Sequence, residues 1–363
     1  MSQGIFTQEQ ILENDRKKQD LVELIRSRNS LLLVGAGCSV DLGYKDWAHL
    51  IDELENLTDN TFVRDPTMKN DSPLLYIDKI RENIKSCNGG SSEKYYNKLV
   101  DLYSPHGRDK QFDDLQTALL DLNFKGIITT NYDKAIEAAL ADKGKCYDAI
   151  TINQNTKKHI SSYFLSLDFG CYMPSILHLH GIHNDPAQII LSEEDYKKFY
   201  GDPNKEWTLH RKILWALLAT RRLVFVGFSF KDPFLAAMLN LNTDDLWRWG
   251  APIHYAIMPI SLVMSEEAKS RAKDFRERYG IETIFYIDHD GTHFGLRKLI
   301  AELVEVCKAA DTKSGIKQKA IIQRKPFNIS KLIVHIMQKL KFKSKVSKGS
   351  FPWVDATNKR MTD

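Results

Sequence analysis

Seven short apolar runs, most of them ending in glycine or a small polar residue, constrain this chain more than any other feature. They are LLLV (31–34), GIITT (126–130), SILHLHG (175–181), QIILS (188–192), RLVFVGFS (222–229), IHYAIM (253–258) and IETIFYI (281–287). A continuous apolar run of this length, bounded by turn residues, is the pattern of a strand buried on both faces. Helix-patterned stretches separate most of the runs: 133–141, the span from 195 to 221, 232–240 and 265–280. Strands alternating with helices predict an α/β fold with a doubly wound, largely parallel, Rossmann-like sheet. Between the first and second runs, about residues 45–125, the pattern is helical and polar, which predicts a helical small-domain insertion. A leading helix is expected over 8–28, with Thr7 and Gln10 spaced as a capping box.

The chain has 363 residues, 43% of them hydrophobic, enough for a large core. Its net charge of +4 conceals an asymmetry. Residues 308–350 hold twelve Lys and Arg against the single acid Asp311, a local +11, which leaves −7 for the rest. The expected organisation is a nucleotide domain over 1–310 and a basic tail over 311–363. In that tail Leu332, Ile333, Ile336, Met337 and Leu340 fall on one face of an amphipathic helix. The five cysteines, Cys38, Cys87, Cys146, Cys171 and Cys307, include no C-x-x-C pair. Neither a disulfide framework nor a four-thiolate zinc site is expected. No signal-peptide pattern and no run near the roughly 18 apolar residues of a membrane span is present. A soluble, cytoplasmic protein with no attached sensing domain is the expectation.

Four of the runs end in residues suited to ligand binding. The first enters VGAGCS, where Gly35 and Gly37, with Ala36 between them, allow backbone N–H groups near a phosphate, and Ser39 adds a hydroxyl. A plain tight turn explains the glycines equally, because the third glycine of the dinucleotide fingerprint is replaced by Val40. The second ends in TTNYD, where Asn131 and Asp133 either cap the following helix or face a ligand. The third ends in HLHG. His178 and His180 stand two apart on an apolar strand, and His183 follows, but no carboxylate or thiol pattern completes a zinc site with them. His178 reads as a hydrogen-bonded core histidine, and His180, next to Gly181, as a residue at the ligand-bearing edge. The fourth ends in GFSFKDP, with Gly227 permitting close backbone approach, Ser229 offering a hydroxyl, and Asp232 and Pro233 starting a helix.

GAGCS, TTNYD, HLHG and GFSF in this order resemble the signature of the sirtuin-like NAD-binding domain family, more narrowly its bacterial anti-phage, NAD-hydrolysing branch. The resemblance spans about Leu31 to Leu299. It implies that NAD is the substrate and that the catalytic residues are His180, as general base, and Asn131, which positions the ribose or the attacking water. Gly35, Ala36, Gly37 and Ser39 would hold the pyrophosphate. Thr130 and Asp133 would lie toward the nicotinamide end, and Gly227 and Ser229 would close the adenosine side. Lysine-deacylating sirtuins carry two C-x-x-C zinc pairs; this chain has none, so the expectation is a zinc-free enzyme.

The implied reaction is cleavage of the nicotinamide N-glycosidic bond to nicotinamide and ADP-ribose, depleting NAD in anti-phage defence; a cyclised product stays open. The alternatives are an ADP-ribosyl transferase, a zinc-free deacylase, or a non-catalytic sensor of NAD or ADP-ribose. The resemblance also implies homo-oligomerisation and control by a separately encoded partner such as a HerA-like ATPase. The basic tail makes nucleic acid a second candidate partner, through unspecific phosphate attraction.

Overall fold

In the computed structural model, residues 8–122, 124–152, 157–169, 175–201, 207–230, 232–244, 254–260, 265–288 and 292–313 are described. Thr7, Cys171 and the tail from 314 onward, with its expected amphipathic helix, lie outside them.

A helix α1 (Gln8–Arg26) leads into β1 (Ser30–Val34). Five helices follow: α2 (Trp47–Glu55), α3 (Pro66–Asp71), α4 (Pro73–Cys87), α5 (Glu93–Tyr103) and α6 (Asp114–Asp121). Then come β2 (Ile127–Thr129), α7 (Ala135–Asp142), β3 (Asp148–Thr151), α8 (Lys157–Phe169) and β4 (Ser175–His178). Helices α9 (Glu193–Tyr200) and α10 (Leu209–Thr220) precede β5 (Arg222–Val226), and α11 (Pro233–Asn242) precedes β6 (His254–Ile260). The last elements are α12 (Ser265–Tyr279), β7 (Ile281–Ile287) and α13 (Phe294–Lys313).

The strands form one seven-stranded sheet, ordered β3-β4-β2-β1-β5-β6-β7, and every pairing is parallel. The expected α/β fold is therefore correct. Its two faces explain the unbroken apolar runs. Leu31, Leu33, Ile128, Leu177 and Phe225 enter a core with residues of α8 to α12, whereas Leu32, Val34, Ile127, Ile176 and Val224 enter one with residues of α1, α6, α7 and α13. Alternate side chains of one strand thus feed opposite cores. Burying each Leu, Ile or Val contributes about 1.5–3 kcal/mol.

Helices α2 to α5 have a third core of their own, built on Leu50, Leu54, Ile77, Ile80, Tyr95 and Leu99. Tyr132, Ala135, Ile189 and Leu191 join it, so this helical layer packs against the loops leaving the sheet. Arg81 of α4 adds a polar tie to α9, its guanidinium donating to Asp195 at 2.8 Å.

Two expectations about strands need correction. The run QIILS is buried but is not a strand. Its backbone is engaged elsewhere: Ile190 N–H bonds to His180 O, Ile190 O accepts the Tyr132 hydroxyl, and the N–H groups of Leu191 and Ser192 go to the Asp195 carboxylate. Composition described its burial correctly, but the hydrogen bonds go to a loop and a capping box rather than to a ladder. Conversely, β3 was not expected. Its sequence, DAIT, lacks an apolar run because it is an edge strand whose first two residues are exposed.

Candidate active site

Strand order brings the four motifs together. β4, β2, β1 and β5 are consecutive neighbours in the sheet, so HLHG, TTNYD, GAGCS and GFSF all emerge from one edge, side by side. In open α/β sheets this carboxyl edge is where ligands bind.

The GAGCS loop and the GFSF loop lock into each other. Gly35 N–H donates to Val226 O and Gly37 N–H to Gly227 O. A Cβ on Gly35 would stand 2.4 Å from Gly227 O, and one on Gly227, whose φ is +69°, would stand 2.6 Å from Cys38 N. These glycines are required by loop-to-loop contact, and in this arrangement both N–H groups point to protein carbonyls rather than outward. Between them Ala36 is exposed, and so is Ser229 in the partner loop.

Asn131 and Asp133 divide the two roles left open for them. Asp133 accepts the Ala135 N–H at 3.0 Å, which serves the start of α7. Burial pushes its carboxyl above the usual range, and the charge of Glu137 adds to this; hydrogen bonds from Ala135 N–H and the Ser39 hydroxyl offset it in part. Asn131 does not cap. Its Nδ2 reaches across to β1's loop, 3.2 Å from both Gly35 O and Ser39 Oγ, while its own N–H bonds to Thr129 Oγ1. Its Oδ1 is buried and has no hydrogen-bond partner among the described residues. A buried acceptor without a donor costs about 1–3 kcal/mol. Thr130 is half-buried, its N–H 3.4 Å from Val34 O.

The two histidines have different surroundings, because β4 ends at His178 and His180 lies in the turn beyond it. His178 is fully buried, with Nε2 2.7 Å from Glu137 Oε1 and Nδ1 3.2 Å from Asn131 O. Burial alone would lower its pKa, but the Glu137 carboxylate and the Asn131 carbonyl outweigh this and hold it raised. It is a hydrogen-bonded core histidine, yet it grips the backbone of Asn131, so it is no bystander to the site.

His180 lies beyond the end of β4 among aromatic rings, edge-on to Tyr196 at 5.4 Å and to Tyr200 at 6.1 Å. Its Nε2 is 3.6 Å from Asp232 Oδ2. Burial lowers its pKa, and Asp232 opposes that shift. A buried imidazole with a lowered pKa is neutral at cellular pH and can accept a proton. Gly181 makes the turn: its φ is +83°, and a Cβ there would meet Gln188 O at 2.3 Å. His183 turns away, its Nδ1 3.0 Å from Tyr132 O. Among the described residues, no three His, Cys, Asp or Glu side chains are grouped to hold a metal ion.

Asp232, Tyr196, Tyr200 and Glu137 were missed as site residues in the sequence. Asp232 read as a helix starter, which it also is, and Tyr196 and Tyr200 are four apart on α9, a spacing that also describes ordinary core packing.

Four strand-end loops side by side on a seven-stranded parallel sheet flanked by helices define a domain of the Rossmann-like α/β class. Residues 125–284 match the family model of the SIR2-like domain, which agrees with the motif resemblance. Similar proteins include an NAD(+) hydrolase ThsA of Enterococcus faecium, 27% identical over 72% of this chain and 49% of that protein. The NAD(+) hydrolase ThsA of Bacillus cereus (strain MSX-D12) is 25% identical over 84% of this chain and 58% of the relative. Defense-associated sirtuin 2 of Bacillus subtilis is 24% identical over 61% and 20%, respectively. The chain thus spans about half the length of the hydrolase relatives it matches. Among solved structures, a Sir2 homologue in complex with NAD matches at 13% identity and a TM-score of 0.36, over 80% of this chain and 94% of that one.

Proposed function

We propose that this chain cleaves the nicotinamide N-glycosidic bond of NAD, transferring ADP-ribose to water, as part of anti-phage defence. One observation carries the reading: Asn131 is clamped through Nδ2 and its backbone, while its Oδ1 is a buried acceptor with no protein donor among the described residues. Such an acceptor suits a ribose hydroxyl or a water molecule. The relatives named NAD(+) hydrolase support the choice of substrate.

Breaking the bond builds oxocarbenium-like charge on the ribose. Asn131 orients the sugar or the attacking water, and His180 takes that water's proton. Asp133, buried beside Ser39, supports the Asn131 loop toward the nicotinamide end, with Thr130. Gly35, Ala36, Gly37 and Ser39 form the pyrophosphate side, and Gly227 and Ser229 the adenosine side. Because the Gly35 and Gly37 N–H groups are bonded to the last residue of β5 and to the glycine after it, their contribution is close backbone approach rather than donation. Uncontrolled NAD cleavage would harm the cell, so homo-oligomerisation and a separately encoded partner belong to the same reading.

The test is nicotinamide release on incubating the chain with NAD alone, alone and with the products of neighbouring genes. Release without any peptide or protein acceptor is expected; release only when an acceptor is present would replace hydrolysis with ADP-ribosyl transfer or deacylation. Chelation with EDTA should leave the rate unchanged, since the sequence has no thiolate pairs. Loss of activity on chelation, restored by zinc, would overturn the zinc-free assignment.

A further inference from the structure

His180 is surrounded on three sides by groups whose role is not accounted for by binding NAD. Helix α9 contributes Tyr196 and Tyr200, the start of α11 contributes Asp232, and α10 contributes His210, which packs on Tyr200 and interacts electrostatically with His180. Tyr196, Tyr200 and His210 are all buried. His210 is held near a pKa of about 3, by burial first and by His180 second, and so is neutral. Burial likewise keeps Tyr196 and Tyr200 protonated. Among the described groups facing this ring, Asp232 is therefore the source of charge.

Asp232 is itself tightly held. Its Oδ1 accepts the N–H groups of Phe234 at 2.9 Å and Leu235 at 3.0 Å, which makes it the N-cap of α11. Its Oδ2 accepts the Tyr196 hydroxyl at 2.8 Å and faces His180 Nε2 at 3.6 Å. The last distance is an ion-pair separation, too long for a hydrogen bond, and it orients the ring electrostatically. Tyr196 is positioned by α9, whose capping box joins Ser192 and Asp195 and which Arg81 of the helical layer braces through Asp195. The side chains of His180 and Asp232 are 8% and 14% exposed, so solvent weakens their interaction little.

We propose that Asp232, braced by Tyr196, is the positioning residue for His180, holding the ring proton on Nε2 and leaving Nδ1 as the nitrogen that accepts the proton of the attacking oxygen. An N–H beside a carboxylate is the favoured tautomer, because a lone pair there would face negative charge. The assignment rests on the NAD-cleavage reading for its chemical step. In that step the water oxygen forms the new bond to the ribose carbon, the pair of the broken C–N bond leaves with nicotinamide, and the water proton goes to Nδ1.

Asp232→Asn in the full chain is the informative variant, because asparagine still caps a helix well. With 15N-labelled histidine, and His180→Gln to assign the resonances, the unaltered chain should show His180 protonated at Nε2; Asp232→Asn should shift it toward the other tautomer. In nicotinamide release the variant should lose about ten- to a hundredfold in kcat with little change in KM, the scale typical of losing a carboxylate that orients a working imidazole. The acidic limb of kcat/KM should move to lower pH, because removing the anion disfavours the imidazolium. Tyr196→Phe should change both readouts in the same direction by less. An Asp232→Asn protein with the same tautomer and the same acidic limb as the parent would overturn the proposal. If the parent releases no nicotinamide, the cleavage reading fails, and the tautomer measurement still decides the role of Asp232.

Discussion

His180→Ala lowers nicotinamide release by roughly a hundredfold to ten-thousandfold, the range for losing a general base, while NAD still binds. The ring stands beyond the end of β4, buried among Tyr196, Tyr200 and Asp232, and burial lowers its pKa so that it starts the reaction neutral. On the proposed reading, alanine removes the proton acceptor but leaves the loops assigned to the pyrophosphate and adenosine sides. Asn131→Ala should be similarly inactive, because it removes both the clamp to Gly35 and Ser39 and the buried Oδ1. Single-turnover measurement with NAD, paired with a binding isotherm, separates the two effects. A His180→Ala protein that turns over at the parental rate would remove the mechanism. His178→Ala is not a neutral control for this experiment, although its strand position suggests one, since it releases the Asn131 carbonyl.

Glu137→Leu destabilises the fold by about 3–5 kcal/mol, the cost of leaving one member of a buried pair without the other. Glu137 and His178 are 2% and 0% exposed, and their contact is 2.7 Å. Because Asn131 O is an acceptor, His178 Nδ1 must donate to it, and a carboxylate at Nε2 asks for a second proton on the same ring. The pair therefore favours the imidazolium. The pKa of His178 is raised in the fold, so the folded state holds a proton that the unfolded chain has lost. The stability from this pair is present in full below about pH 6.5, the ordinary histidine value, and is lost as pH rises through the higher folded value. Urea unfolding across that range should show the decline in the parent and a flatter profile in Glu137→Gln, which keeps an acceptor but no charge. Unchanged unfolding midpoints in Glu137→Leu would show that the pair contributes nothing.

The sheet was legible because its strands are buried on both faces, so Leu31 to Val34, Gly126 to Thr129 and Leu223 to Val226 had to be continuous apolar runs. The glycine, Asn-Tyr-Asp, His-Gly and Gly-Phe-Ser motifs were legible for a related reason: each sits where a strand ends, and local residue types mark that junction. QIILS was misread because burial without a ladder has the same composition as burial within one. Edge strand β3 was missed because half of it faces water.

By itself, then, the sequence determined the parallel α/β class, the helical layer after the first strand, and the four strand-end motifs, since all of these follow from local periodicity and turn chemistry. Only the tertiary structure decided the rest. The order β4-β2-β1-β5 makes the four motifs neighbours. Gly35 and Gly227 prove to be glycines because two loops cross there, and Asp133 rather than Asn131 serves the helix start. His178 pairs with a glutamate 41 residues away in the chain, and His180 with an aspartate 52 residues away. Such pairings depend on which chain segments the sheet brings within a few ångströms, and no local pattern of residues encodes that distance.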